Sequence, residues 1–301
     1  MTEKQQTVCA VIVTYHPQRG FLEELLQAVA PQVGGVVVVD NTGGEPMPPP
    51  TEVAGVEVVS LPSNAGLAAA QNIGIAWARR RGFDHVLLLD QDSLPAEGMV
   101  AALLGALSLL GPRTAAVGPR FHELREGRDA PFVRIGFPFN RKLHCSPGRE
   151  TVPCDFLISS GTLVPMAVLD RVGVMDPELF IDNVDLEWCF RARAIGYELH
   201  GVCAARMDHR LGDARLALPL RLGHVVVHGP RRLYYMMRNR VRLYRLPHTP
   251  RTWVAQDLPR VLVKLFLFGV LVAPRMRNLR CMLRGLWDGL RGRGGTGPYA
   301  A

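Results

Sequence analysis

Apolar residues along the first ninety positions arrive in two kinds of run. The runs "VCAVIVTY" (8–15), "GGVVVVDN" (34–41), "VEVVSL" (56–61) and "HVLLLD" (85–90) are nearly unbroken and rich in β-branched residues, the pattern of strands buried on both faces. Between them, "FLEELLQAVA" (21–30) and "GLAAAQNIGIAWARRRG" (66–82) space their apolar residues at helical intervals, and the proline-rich "EPMPPPTEVAG" reads as a connector. Strands of this kind alternating with helices predict an α/β fold with a mostly parallel central sheet covered on both sides. In such sheets ligands gather beyond the carboxyl ends of the strands. The polar residues at those ends are Thr14 and Tyr15, Asp40 and Asn41, Asn64, and the pair Asp90 and Asp92.

Further along, "LLGALSLL" reads as a helix and "TAAVGP" as a short strand, followed by the loop-rich "RFHELREGRDAPFVRIGFPFNRKLHCSPGRE". A connector of that length points to function or mobility. The segment "VDLEWCFR" puts Asp185 near a helix N-terminus, "ELHGVCAARM" reads as a strand leading to His209, and "RRLYYMMRNRVRLYR" (231–245) is a basic helix.

Composition adds limits. The 301 residues, 48% hydrophobic and 21% charged, suffice for one large α/β domain or a domain with an appendage. The net charge of +8 comes largely from arginines that thicken toward the C-terminus. Such a surface suits a diphosphate, an anionic lipid or nucleic acid. Nucleic acid is the weakest of these, because no recognition motif is present and aromatics are sparse. The six cysteines form no CxxC or zinc-type spacing, and the N-terminus carries no signal-peptide stretch, so a reducing cytoplasm is the simpler setting.

Two carboxylates one residue apart at a strand end repel each other unless a cation or hydroxyl-bearing ligand lies between them. Asp90 and Asp92 therefore suit Mg2+ or Mn2+ completed by substrate phosphates; the competing reading is an Asx turn with an N-cap. Asp40 can accept a hydrogen bond from a pyrimidine N3–H, or be satisfied by turn amides.

The series "VTY", "VVDN", "SNAGLAAAQNIG", "LLLDQDS", "SSGTLVP", "FIDNVDLEWCFRARAIGYEL" and "DHRLGD" resembles, in order from about residue 8 to 245, the family 2 glycosyltransferases. Within them it is similar to the bacterial rhamnosyltransferases that use dTDP-L-rhamnose. The resemblance implies a GT-A type, Rossmann-like nucleotide-sugar fold over residues 1–250, with a donor half at about 8–110 and an acceptor half at about 111–245. It implies a nucleoside pocket from Thr14, Tyr15, Asp40, Asn41 and Asn64, with Asp90 near the ribose or metal. Asp92 and His209 would be the metal ligands, and Ser160 and Gly161 an acceptor-side loop, with Glu187 and Trp188 on the same side. Asp185 would be the general base of an inverting transfer. Val184 stands where the family usually has Glu, which keeps Asp182 in contention, and Gln91 occupies the middle of the acidic motif. Arg238 and Asn239 match an Arg-Asn pair that would reach the donor diphosphate or a lipid phosphate.

The C-terminal region, 251–301, holds an apolar stretch at 261–273 broken by Lys264 and closed by Pro274. It is shorter than the roughly 20 residues that span a bilayer. Arginines then interleave with Leu, Met and Trp287 as in a helix lying on an anionic membrane, although a core helix or dimer interface would use the same apolar run. The expectation is a cytoplasmic enzyme, peripheral on the inner face of the plasma membrane, with a lipid-linked glycan acceptor. Its rivals are another hexosyl- or galactofuranosyltransferase, a catalytically silent scaffold, and a sugar-nucleotide synthesising transferase. The last would need a glycine-rich basic loop where "TYHPQRGF" stands.

Overall fold

The structure, a computed structural model, describes residues 7–45, 47, 53, 55–123, 127–209, 215–217 and 224–299. In chain order, β1 (Val8–Thr14), α1 (Arg19–Val29), β2 (Gly35–Asp40), β3 (Val56–Ser60), α2 (Leu67–Arg80) and β4 (His85–Asp90) form the first alternating unit. β5 (Ser93–Pro95), α3 (Met99–Leu110), β6 (Thr114–Glu123), β7 (Arg128–Asp129), β8 (Phe132–Arg134), β9 (Arg141–Leu143), β10 (Thr151–Cys154), β11 (Leu163–Pro165) and α4 (Met166–Val172) follow. The chain continues through α5 (Val184–Ala194), β12 (Glu198–His209), β13 (Arg215–Ala217), β14 (His224–Val226), α6 (Pro230–Arg245), α7 (Arg251–Phe266) and α8 (Arg275–Leu290).

The main sheet runs β10-β12-β6-β11-β4-β1-β2-β3, with β5 and β7 paired to its side. β3, β2, β1 and β4 are mutually parallel, β12 is parallel to β6, and β11 joins the two groups by antiparallel pairing with β4 and β6. The unbroken apolar runs follow from burial on both faces. Cys9, Val11, Val13, Val37, Val39, Val86 and Leu88 point into one core with Ile75 and Trp77 of α2. Their neighbours Val8, Ala10, Ile12, Val36, Val38, Leu87 and Leu89 point into the other with Leu25 of α1 and Leu103 of α3.

Strand register decides where the polar ends fall. Thr14 lies opposite Asp40, Val13 opposite Asp90, and Asp40 opposite Ser60, so the polar termini of four strands share one rim. At the far end of β12, His209 pairs with Ser93 and Asp208 with Leu94, which brings that backbone beside the Asp90–Asp92 turn.

The last two helices, α7 and α8, pack on α6. α7 ends in a single π-type turn at Leu267–Leu271. The chain then reverses, with the buried Asn278 amide donating to Phe268 O and Val272 O, so the apolar stretch is the closing end of α7 and its turn into α8. Asp288, also buried, accepts from the Tyr234 hydroxyl, Arg284 and Arg293, which joins α8 to α6. Among the described residues no helix is long and apolar enough to cross a membrane.

Cys145 and Cys203 are joined in a disulfide that ties the segment after β9 to β12. This departs from the free thiols that a reducing cytoplasm implies; residues 58 apart carry no short spacing signature. Cys9, Cys154, Cys189 and Cys281 are free and buried.

Candidate active site

A cavity of about 500 Å³ opens over the rim where β1, β2 and β4 end. One wall is Val13, Thr14, Tyr15, Asn41, Asn64 and the Asp90–Asp92 turn. The opposite wall is the segment Phe180–Asp185, with Ile158, Ser159 and Arg232 completing it.

The strand-end wall is held by short polar links. The Asn41 side chain donates to Asn64 Oδ1 (3.0 Å) and accepts from the Ala65 amide (2.8 Å), while Asn64 Oδ1 also receives the Gly66 amide (2.9 Å). Gly66 has φ +87°, and a Cβ there would stand 2.4 Å from the Phe180 ring, so the two walls meet where only glycine fits. Gln91 accepts from the Tyr15 amide (2.7 Å) and donates to the Tyr15 carbonyl (3.2 Å), clasping the β1 end to the β4 end.

Four carboxylates, those of Asp90, Asp92, Asp182 and Asp185, share this cavity with the Arg232 guanidinium. Arg232 is engaged with Asp182 through Nε (3.1 and 3.2 Å to its two oxygens) and Nη2 (3.0 Å). Burial, then repulsion from Asp92 and Asp185, pushes the Asp90 carboxyl up to about 7. Asp185, in the first turn of α5, is also raised, chiefly by burial, against the opposing pull of the Leu186 and Ser159 backbone groups. Its Oδ1 accepts the Leu186 amide at 2.8 Å.

A concentration of buried negative charge like this suits a hard divalent cation. Among the described residues no three His, Cys, Asp or Glu side chains gather closely enough to hold a metal by themselves. Asp90 and Asp92 match the sparser arrangement in which one or two carboxylates are completed by substrate phosphates. The His209 side chain lies outside the described residues.

Comparison with known proteins fits this geometry. The family model described as "Glycosyl transferase family 2" matches residues 9–159. A dTDP-rhamnosyl transferase, RfbF, of Shigella flexneri is 31% identical over 300 residues, covering 98% of this chain and 99% of that one. This chain belongs to glycosyl transferase family 2. A galactofuranosyltransferase, GlfT1, of Mycolicibacterium smegmatis is 28% identical over 207 residues, 60% of this chain and 64% of that one. Among solved structures, S. aureus TarS 1-349 in complex with UDP-GlcNAc matches with a TM-score of 0.60 at 14% identity, over 96% of this chain and 82% of that one. GalNAc-T7 with UDP, GalNAc and Mn2+ matches at 0.58 and 13% identity; there the chain covers 56% of the neighbour's length. At these identities the structural matches speak for the fold alone, the GT-A-like arrangement of family 2.

Several residues singled out from the sequence lie elsewhere than at the cavity wall. Arg238 is fully buried and turned away from the cavity, bonded to the carbonyls of Glu178, Leu179 and Gly295, so it cannot reach a diphosphate there. Asn239 is buried with it. Ser160 sits behind the wall, its hydroxyl 2.5 Å from that of Ser93 and accepting the Asp90 amide, and it therefore supports the acidic turn instead of facing an acceptor. At Gly161 a Cβ would meet the Pro119 ring at 2.5 Å, a packing constraint. Glu187 is buried and held by Arg191 and His248, while the Trp188 indole donates to Gly173 O, so both face the interior. Asp40 stands beside the cavity, with one oxygen taken by the Thr42 amide and the Thr14 hydroxyl.

Sequence reasoning missed Arg232, Ser159, Ile158 and the clasp made by Gln91. Arg232 falls within the basic run that begins α6, but nothing local separates it from its neighbouring arginines. A helical wheel aligned on the buried Tyr235 and Asn239 would have set it apart, had the packed face been known.

Proposed function

We propose that this chain is an inverting, metal-assisted glycosyltransferase that moves L-rhamnose from dTDP-L-rhamnose to a lipid-linked or cell-surface glycan. The donor follows from similarity over nearly the whole length to the Shigella dTDP-rhamnosyl transferase; the galactofuranosyltransferase similarity is lower and covers less of the chain. The single observation that carries the chemistry is that Asp185 and the Asp90–Asp92 turn line one cavity, near enough for Asp185 to push the Asp90 carboxyl up.

In this reading the acceptor hydroxyl oxygen attacks the anomeric carbon as the bond from that carbon to the diphosphate oxygen breaks. Asp185 takes the hydroxyl proton. Burial raises its carboxyl above the ordinary carboxylate range, so turnover is lost on acidification at a higher pH than for an exposed Asp. Asp182 is engaged with Arg232, which favours Asp185 as the base. Asp90 and Asp92, with His209 as a further ligand, would hold Mg2+ or Mn2+, which when bound neutralises charge on the departing diphosphate. Thr14, Tyr15, Asn41 and Asn64, with Asp40 beside them, would receive the nucleoside.

The C-terminal layer supports a place at the surface of an anionic membrane. Leu258, Leu262 and Phe266 form an exposed stripe along α7, and Leu283, Trp287 and Leu290 another along α8, with arginines between them.

Calorimetric titration with dTDP-rhamnose, UDP-glucose, UDP-galactofuranose and GDP-mannose, each with and without manganese, tests the reading. Selective binding of dTDP-rhamnose that needs manganese, and that Asp92→Ala weakens about 100-fold, is the expected result. Binding that ignores both manganese and the substitution refutes the metal arrangement. Preference for another donor refutes rhamnose, and no donor binding favours a silent scaffold.

A further inference from the structure

The wall that presents Asp185 has an unusual backbone. Phe180 has φ 63° and ψ −69°, and the Ile181 amide donates to the Leu179 carbonyl at 2.7 Å, which makes Phe180 the centre of a γ-turn of the rare, strained kind. Asp182 (φ 66°) and Asn183 (φ 61°) follow in the left-handed region, and α5 begins at the next residue. Three non-glycine residues with positive φ within four positions persist only if their surroundings over-determine them.

Beside the Ala68 amide, which donates to the Phe180 carbonyl, and Arg232, which pairs with Asp182, two residues of α6 bond the backbone of this turn. Arg238 Nη2 donates to the carbonyls of Glu178 and Leu179, both at 3.0 Å. Asn239 Nδ2 donates to those of Leu179 (2.8 Å), Ile181 (2.7 Å) and Asp182 (2.8 Å). Arg238 Nε donates to Asn239 Oδ1 at 3.1 Å, so the guanidinium fixes which way the amide points. The Phe180 ring stacks on Tyr235 at 4.7 Å, and the Arg238 guanidinium lies 4.9 Å over that same ring. The Gly295 carbonyl takes Arg238 Nη1 at 2.6 Å, and the Tyr235 hydroxyl donates to Thr296 O, so the chain end braces the assembly from behind.

Both Arg238 and Asn239 are wholly buried. A guanidinium sunk among carbonyls and rings, with no carboxylate among its hydrogen-bond partners in the described residues, is a costly way to attach a helix. Its geometry makes sense as a support for carbonyls that a strained turn gathers on one side.

We propose that Arg238 and Asn239 are positioning residues for the transfer reaction: by holding the carbonyls of Glu178, Leu179, Ile181 and Asp182 they keep the strained turn, and through it Asp185, directed into the cavity. This rests on Asp185 as the base. The C-terminal segment is thereby part of the catalytic apparatus, and its removal would disturb the base as well as any membrane face.

The test is turnover per donor-binding site, with sites counted by calorimetry, for full-length Asn239→Ala, Arg238→Lys and Asp185→Asn beside the unaltered enzyme, using dTDP-rhamnose. A purely structural role lowers the number of sites; a positioning role lowers turnover at each site. Asn239→Ala is expected to cut kcat per site about 10- to 100-fold while donor KM stays within about threefold. Arg238→Lys, which keeps the charge but reaches fewer carbonyls, should cut it about three- to tenfold and supplies the reading if Asn239→Ala does not fold. Unaltered turnover per site in the variant that folds, or a loss confined to site number, overturns the proposal. Full activity of Asp185→Asn would instead overturn the base assignment, and the two failures are read from different variants.

Discussion

The cavity has two walls with opposite origins. The strand-end wall is set by register: parallel pairing of β1, β2 and β4 brings Thr14 level with Asp40 and Val13 level with Asp90 whatever their side chains do. The facing wall, 180–185, adopts a backbone that its own residues disfavour and is held from outside by α6. Binding groups thus stand on a wall that is rigid by construction. The proposed base stands on one whose position depends on distant contacts, and this separates donor affinity from catalytic rate. Substitutions on the first wall should move affinity, and those on the second should move turnover.

Asp185→Asn gives the largest effect expected from this contrast. The change is isosteric and keeps an acceptor oxygen for the Leu186 amide, so donor affinity should stay within about twofold. Turnover should fall by roughly 10²- to 10⁴-fold, the range for a general base. Steady-state kinetics beside calorimetry separates the two quantities. Near-normal turnover would transfer the base role to Asp182 despite its engagement with Arg232.

A smaller effect is expected at Arg232, which shares a wall with Asp182 and also pulls the Asp90 carboxyl down. Its guanidinium pairs with Asp182, but its side chain is 41% exposed, so solvent screening keeps the pair well below the strength of a buried one. Arg232→Met should lower stability by about 1 kcal/mol or less. It should reduce kcat/KM about three- to tenfold, because the carboxylates of Asp90 and Asp185 then face Asp182 without that guanidinium. A drop in Tm beyond a few degrees, with unaltered kinetics, would make Arg232 a fold residue alone.

The unequal origins of the walls also explain what the sequence disclosed. Continuous apolar runs such as "VVVVD" announce a buried parallel strand and its polar terminus in one stretch, because both come from local order. Asp90, Asp92, Thr14, Asn41 and Asn64 were legible for that reason. The γ-turn at Phe180 was not, since phenylalanine carries no signal for positive φ and the donors that impose it lie about 60 residues downstream. The Arg-Asn resemblance at 238–239 points to a phosphate, because a run of arginines does not reveal which one the core encloses. Ser160 and Glu187 were misdirected in the same way: burial changes a polar residue's role, and burial comes from packing across the chain.

The smallest effect is expected at Gln91, where a side chain reinforces what register already fixes. Its amide clasps both backbone groups of Tyr15, a residue 46% exposed at the cavity mouth. Gln91→Leu removes two hydrogen bonds, but water can reach the freed Tyr15 groups, so the loss should be about 1 kcal/mol or less in unfolding free energy. Donor Kd should rise only a few-fold, with kcat unaltered, as Tyr15 gains freedom over the nucleoside side of the cavity. Calorimetry with dTDP-rhamnose reads the first quantity and saturating turnover the second. A loss of kcat as large as that of Asn239→Ala would show that the strand-end wall also depends on side-chain ties, and the division between a wall that binds and a wall that reacts would then fail.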